Sequence, residues 1–388
     1  IYHRFRILIF LALRYIFNIF KYSRFHAGKS STQMIRRAGY HAEAHTILTE
    51  DGYLLEVHRI PGKDGSPAIF LQHGLLGSSA DWVMLGKNKA LAYILADRGY
   101  DVWLGNFRGN TYSRAHVSIP SSSSEFWDFS WHEMGIYDLP AMISYVTNLK
   151  KDLLRAYIGH SMGTTSFYVM AVERPEVTKL VKLMISLAPV SFLSHMKGPL
   201  RFIAPLLDNY KIISYFFGKD EFLPQNFVVR FLAKYGCDLD VLEEEICANT
   251  LFVIVGFDSA QFNYTLLPVI LNHSPAGAST KTMIHYLQEM KSKHFRRYDY
   301  GKKKNMEIYN STVPPDYDLS KISVPIAISY ADNDWLTNPT FSKSLKNIID
   351  MYKVPFPKFN HVDFLWAKDA PKLVYERLLY ILKKNKKI

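Results

Sequence analysis

The chain has 388 residues, 48% of them hydrophobic and 21% charged, which fits a globular protein and excludes a disordered one. No uncharged apolar run reaches the roughly 18–20 residues of a membrane-spanning helix, and two cysteines are too few for a disulfide-built scaffold or a Cys-rich zinc site. The formal net charge of +12 sits at the ends, on Arg4, Arg6, Arg14, Lys21, Arg24, Lys29, Arg36 and Arg37 and on Lys383, Lys384, Lys386 and Lys387; the remaining body holds 35 basic and 35 acidic residues, which gives no reason to expect a nucleic-acid face.

Residues 1–38 form a basic and apolar segment. Ile7–Leu13 is an apolar run after a basic start, and Tyr15–Phe20 continues it beyond Arg14. The layout is that of an export signal, and the chain is expected to be secreted or lysosomal. A rival arrangement is an amphipathic surface helix with Arg14, Asn18 and Lys21 on one face, or an anchor over residues 1–25. The sequons at Asn263 and Asn310 would permit glycosylation in a secreted chain, and Asn272 is weakened by Pro275.

From there, short apolar runs end in glycine or polar turns: Ala68–Gln72, Asp101–Leu104, Arg155–Ile158, Lys182–Leu187 and Val324–Tyr330. Helix-like stretches lie between and after them, at Lys87–Asp97, Tyr137–Leu149, Thr164–Glu173 and Phe341–Met351. Alternation of the two predicts an α/β fold with a mostly parallel sheet covered on both faces, and places any ligand at the carboxyl ends of the strands. The alternation lapses over residues 191–323, which are irregular and aromatic (Phe202, Tyr210, Tyr215, Phe216, Phe217, Phe222, Phe227, Phe231). This stretch is expected to be an inserted cap, with residues 39–190 and 324–388 forming the core.

Three motifs carry chemistry. Gly159-His160-Ser161-Met162-Gly163 is a G-x-S-x-G between a predicted strand and a predicted helix. A sharp turn there lifts a serine hydroxyl out of the sheet and aims the helix N-terminus at developing negative charge. His73-Gly74-Leu75-Leu76-Gly77 follows an earlier strand. In a hydrolase of this plan two backbone N–H groups bind the oxyanion, one after the nucleophile (Met162) and one from such a loop, for which Leu75 is the candidate. A serine also needs a base, and the base an anion to hold its tautomer. In the order Ser–acid–His, Asp334 or Asp332 supplies the acid and His361 the base. Spacing alone does not choose between the two aspartates.

These blocks resemble the acid lipase family, the gastric and lysosomal acid lipases and their insect relatives, within the α/β-hydrolase fold. The resemblance runs from about Gly39 to the C-terminus. It is carried by Asp51-Gly52-Tyr53, His58-Arg59-Ile60-Pro61, His73–Gly77, Gly105-Asn106-Phe107-Arg108-Gly109-Asn110 and Phe126-Trp127-Asp128-Phe129-Ser130. Tyr137-Asp138-Leu139-Pro140, Gly159–Thr165, Leu187-Ala188-Pro189-Val190, Asn333-Asp334-Trp335-Leu336 and Asn360-His361-Val362-Asp363-Phe364 continue it in the same order. It implies Ser161 as nucleophile, Asp334 rather than Asp332 as acid, His361 as base, and Leu75 with Met162 as oxyanion donors. The family usually has Gln where Met162 stands, but a backbone N–H is indifferent to the side chain. The resemblance also implies a cap disulfide, for which Cys237 and Cys247 fall in the matching region, and a movable lid at about 225–258. The activity it implies is serine-dependent hydrolysis of neutral lipid esters, triacylglycerol or cholesteryl ester, at a lipid–water interface, with no metal or organic cofactor. Rival readings are a soluble carboxylesterase, thioesterase or peptidase on the same fold, or a non-catalytic lipid-binding relative.

Overall fold

The computed structural model describes residues 29–191, 196–197, 218–222, 255–337 and 339–385. Residues 1–28 of the signal-like segment, Cys237, Cys247 and residues 225–254 of the expected lid lie outside these residues. The central sheet contains β1 (Glu43–Leu48), β2 (Tyr53–Ile60), β3 (Ala68–Gln72), β4 (Asp101–Gly105), β5 (Ala115–His116), β6 (Ala156–His160), β7 (Met184–Leu187), β10 (Ile326–Tyr330) and β11 (Ile348–Lys353). Across the sheet the order is β1-β2-β4-β3-β6-β7-β10-β11, with β5 paired to β2. Every pairing from β4 to β11 is parallel, and β1, β4 and β5 run antiparallel to β2.

The two faces of the sheet follow from the period of two along its strands. Ile69, Leu71, Ile158, Ile185 and Ala327 point to one face, where α2 (Leu91–Ala96) and α8 (Glu376–Lys384) cover them with Leu91, Tyr93, Leu95, Leu378 and Ile381. Phe70, Tyr157, Met184, Ile326 and Ile328 point to the other, against α3 (Leu139–Lys150) and α4 (Met162–Glu173). Phe70 and Tyr157 stack there on adjacent strands, with centroids 5.9 Å apart. Truncating a residue such as Phe70 to alanine would cost about 3–5 kcal/mol through lost transfer energy and a cavity. The first helix, α1 (Ser31–Arg37), is started by a Ser30–Gln33 capping box and inserts Ile35 into the first of these layers.

Between β7 and β10 the described residues include α5 (Leu267–His273), α6 (Thr280–Ser292), α7 (Lys302–Tyr309) and a ribbon of β8 (Glu221–Phe222) with β9 (Ala278–Ser279). Helix α6 docks on the core: Tyr286 joins the α4 layer, and His285 stacks on Trp131 at 3.7 Å between centroids. No helix of the described residues is long and apolar enough to cross a membrane.

The segment expected as a helix at Phe341–Met351 is instead a short 3₁₀ turn over Pro339–Ser344 followed by β11. Ile348–Lys353 pairs in parallel with β10 at the sheet edge. Its outer side chains include Ile349 and Met351, both more than 40% exposed. Apolar residues on both faces of an edge strand hide its period of two, and a helix is the natural misreading. The antiparallel margin at β1 and β2 is likewise not legible in the sequence, because β1 is largely half-exposed and carries little apolar signal.

Candidate active site

All of the candidate side chains sit at or beyond the carboxyl ends of parallel strands. Ser161 follows β6 directly and initiates α4, with φ 53° and ψ −119°, a region that a non-glycine residue adopts only under strain. Close packing makes this turn depend on its glycines. A Cβ on Gly163 would lie 2.5 Å from the Gln72 carbonyl oxygen, so α4 can meet β3 only where a side chain is missing. A Cβ on Gly74 would lie 2.8 Å from the Ser161 Cβ, which brings the loop after β3 against the serine. Within the turn, Ser161 N–H donates to the Leu187 carbonyl (3.1 Å), and the Thr164 hydroxyl donates to the Ser161 carbonyl (2.6 Å).

His361 arrives from the loop after β11, and Asp334 from the loop after β10. The imidazole Nε2 is 2.8 Å from Ser161 Oγ, and Nδ1 is 2.8 Å from Asp334 Oδ2. Asp334 Oδ1 accepts the N–H groups of Leu336 (2.9 Å) and Thr337 (3.2 Å), which leaves Oδ2 aimed at the ring. A carboxylate at Nδ1 fixes the proton there, so Nε2 is free to accept from the serine hydroxyl. All three residues are buried, with Ser161 the most open at 8%. The rival Asp332 turns outward and pairs with Lys353 at 3.0 Å on the surface.

Leu75 and Met162 flank the serine on the other side. Met162 is the first residue of α4, and Leu75 lies in the loop that Gly74 brings against Ser161. Among the described residues no group accepts a hydrogen bond from either backbone N–H. The pair therefore offers two undirected donors beside the hydroxyl, as an oxyanion would require.

Two further histidines, His73 and His160, shape the site without belonging to the Ser–Asp–His pattern of the sequence. His73 Nδ1 donates to the Gly74 carbonyl (2.7 Å), while Nε2 accepts from Phe107 N–H and Asn110 Nδ2, each at 3.1 Å. Both ring nitrogens are thus committed in the neutral form, and burial pushes this imidazole down to about 4. The ring braces the loop that presents Leu75. His160 is held well below the usual histidine range by burial and by the neighbouring His361, and its Nε2 donates to the His361 carbonyl (2.9 Å). It ties the loop of His361 to the strand that leads into Ser161. Both lie inside quoted motifs, but adjacency in sequence does not reveal which carbonyl a ring will reach.

Residues 31–86 match the family described as a partial alpha/beta-hydrolase lipase region, and residues 67–368 match the alpha/beta hydrolase fold. The chain is 42% identical to the gastric triacylglycerol lipase of Homo sapiens over 371 residues, covering 92% of this chain and 91% of that one. It is 36% identical to the lysosomal acid lipase/cholesteryl ester hydrolase of Homo sapiens over 363 residues, covering 91% and 90%. Among solved structures, an acetylester hydrolase from Corynebacterium glutamicum superposes with a TM-score of 0.54 at 14% identity, over 92% of this chain and 100% of that one. That likeness concerns the fold.

Proposed function

The chain belongs to the acid lipase family of the α/β-hydrolase fold, and from that premise we propose that it is a serine lipase that hydrolyses esters of neutral lipids and releases fatty acid. The observation that carries the mechanism is the unbroken line from Asp334 through His361 to Ser161, with 2.8 Å at each step.

The reaction is a two-step acyl transfer. His361 takes the proton of Ser161 as Oγ attacks the ester carbonyl, and Asp334 stabilises the imidazolium. The amides of Leu75 and Met162 bind the oxyanion, each worth on the order of 3 kcal/mol in the barrier. His361 then protonates the departing alcohol. Water enters by the same route and attacks the acyl carbon as His361 takes its proton; the bond to Ser161 Oγ then breaks, Oγ takes that proton back from His361, and the fatty acid leaves.

The substrate is triacylglycerol, cholesteryl ester or both, taken at a lipid–water interface. The described residues between 255 and 323 belong to the cap inserted between the two parts of the core. The enzyme acts in a secreted or lysosomal setting, with Asn263 and Asn310 as glycosylation positions. The test is hydrolysis of emulsified triacylglycerol, cholesteryl ester and a micelle-free short ester across pH, with Ser161→Ala as control. Long-chain emulsions hydrolysed by the parent chain, and a loss of about 10⁴–10⁶-fold in kcat for the variant, are expected. Hydrolysis undiminished in Ser161→Ala overturns the mechanism, and turnover of the soluble ester alone overturns the lipid specificity.

A further inference from the structure

Residues 255–257 cross the two loops that present Asp334 and His361, and offer them three consecutive main-chain carbonyls. The Val255 carbonyl accepts N–H groups from both loops, Trp335 at 3.5 Å and His361 at 3.4 Å. The Gly256 carbonyl accepts from Asn360 Nδ2 and the Phe257 carbonyl from Asn333 Nδ2, each at 3.0 Å. Gly256 has φ 112°, and a Cβ there would lie 2.2 Å from the Asn333 carbonyl oxygen and 3.2 Å from the Asn360 Cβ. Only glycine passes between the two asparagines without displacing one of them.

Each asparagine immediately precedes a member of the relay in the chain, Asn333 before Asp334 and Asn360 before His361. Asn333 Nδ2 spends its second hydrogen on the Lys358 carbonyl (2.7 Å), just upstream of His361, and Oδ1 accepts from Trp335 Nε1 (3.2 Å). One amide thus joins the acid loop, the base loop and the crossing segment. Asn360 is fully buried, and its Oδ1 accepts the N–H groups of Val362 (3.0 Å) and Asp363 (3.2 Å), which shapes the turn around His361. Both positions require a side chain that donates at one end and accepts at the other, as an amide does. A carboxylate of the same outline would aim lone pairs at the carbonyls of Gly256, Phe257 and Lys358.

We propose that Asn333 and Asn360 are positioning residues for the ester hydrolysis: bonded to the carbonyls on either side of the Gly256 crossing, they hold the loops of Asp334 and His361 at the separation the relay needs. The proposal rests on Asp334 and His361 being the acid and the base. Among the described residues neither amide hydrogen-bonds the serine hydroxyl or the imidazole, so each acts through its neighbour in the chain. The relay spans 2.8 Å at each step, and a misplacement of about 1 Å in such a geometry costs on the order of 10²-fold in rate. The loops come from opposite sides of β11, and the shared bonds to one crossing segment are what keep them from drifting apart.

The test is a cycle of Asn333→Ala, Asp334→Asn and the double variant, read as hydrolysis of emulsified tributyrin by the full chain. Asn333→Ala should lower kcat about 30-fold with apparent KM within about twofold. In the Asp334→Asn background the relay is already broken, and there the same substitution should cost less than about threefold. A group that only stabilised the fold would cost the same factor in both backgrounds. Asn360→Ser keeps an acceptor for the turn N–H groups but cannot reach Gly256, and it should reproduce the kcat loss of Asn333→Ala. Gly256→Ala drives a methyl group against the Asn333 carbonyl and should lower kcat at least as far; since that variant can fail to fold, the asparagine variants decide. A kcat within twofold of the parent in both Asn333→Ala and Asn360→Ser, or losses that multiply in the double variant, overturns the proposal while Asp334→Asn alone still shows its large loss. If Asp334→Asn is itself near the parent activity, the assignment of the acid fails first.

Discussion

Ser161 is held by backbone, whereas His361 is held by side chains. Around the serine, the strand–turn–helix geometry, the close approach of α4 to β3 at Gly163, and the Ser161 N–H bond to the Leu187 carbonyl do the positioning. Around the histidine, the Asp334 carboxylate, the His160 ring, the Asn360 amide and the Val255 carbonyl do it, drawn from stretches up to about two hundred residues apart. A site built from backbone is insensitive to most substitutions that leave glycine alone. One built from side chains is sensitive to single atoms and to their protonation.

The sharpest way to break this contrast is at the acid. Asp334→Asn keeps the shape but presents an amide to Nδ1, which stabilises the wrong tautomer, and kcat should drop about 10⁴-fold at unchanged fold. Asp332→Asn, two residues away, removes only a surface ion pair and should leave kcat within about twofold. Comparable losses in the two variants would refute the assignment of the acid. On the backbone side, His73→Ala removes the brace from the loop of Leu75 without touching either donor. A fall of about 10²-fold in kcat with KM little changed is expected in steady-state assays. A rise in KM alone would mean that the loop binds substrate rather than the developing charge.

The same contrast explains what the sequence revealed. The turn at Ser161 is legible because its requirements are local: glycines two residues either side of a serine, an apolar run before and a helix pattern after. The central strands were legible because β3, β4, β6 and β7 are buried at every residue and so read as continuous apolar runs. Spacing leaves Asp332 and Asp334 equal as candidates, because what separates them is the direction of a side chain in a loop: Asp334 reaches His361 and Asp332 reaches Lys353. The edge strands were not legible, since β11 carries apolar residues on its open face and β1 is half-exposed. Nothing local could show that the Val255 carbonyl meets the N–H groups of Trp335 and His361, far along the chain.

The most direct test of the central claim is covalent labelling of the purified chain with a p-nitrophenyl phosphonate, followed by peptide mass mapping, in the parent protein and in His361→Ala. One adduct per chain, on Ser161, with labelling slowed by about 10³-fold or more in the variant, is the predicted result. An adduct on another residue, or labelling of Ser161 at the same rate without His361, would contradict it.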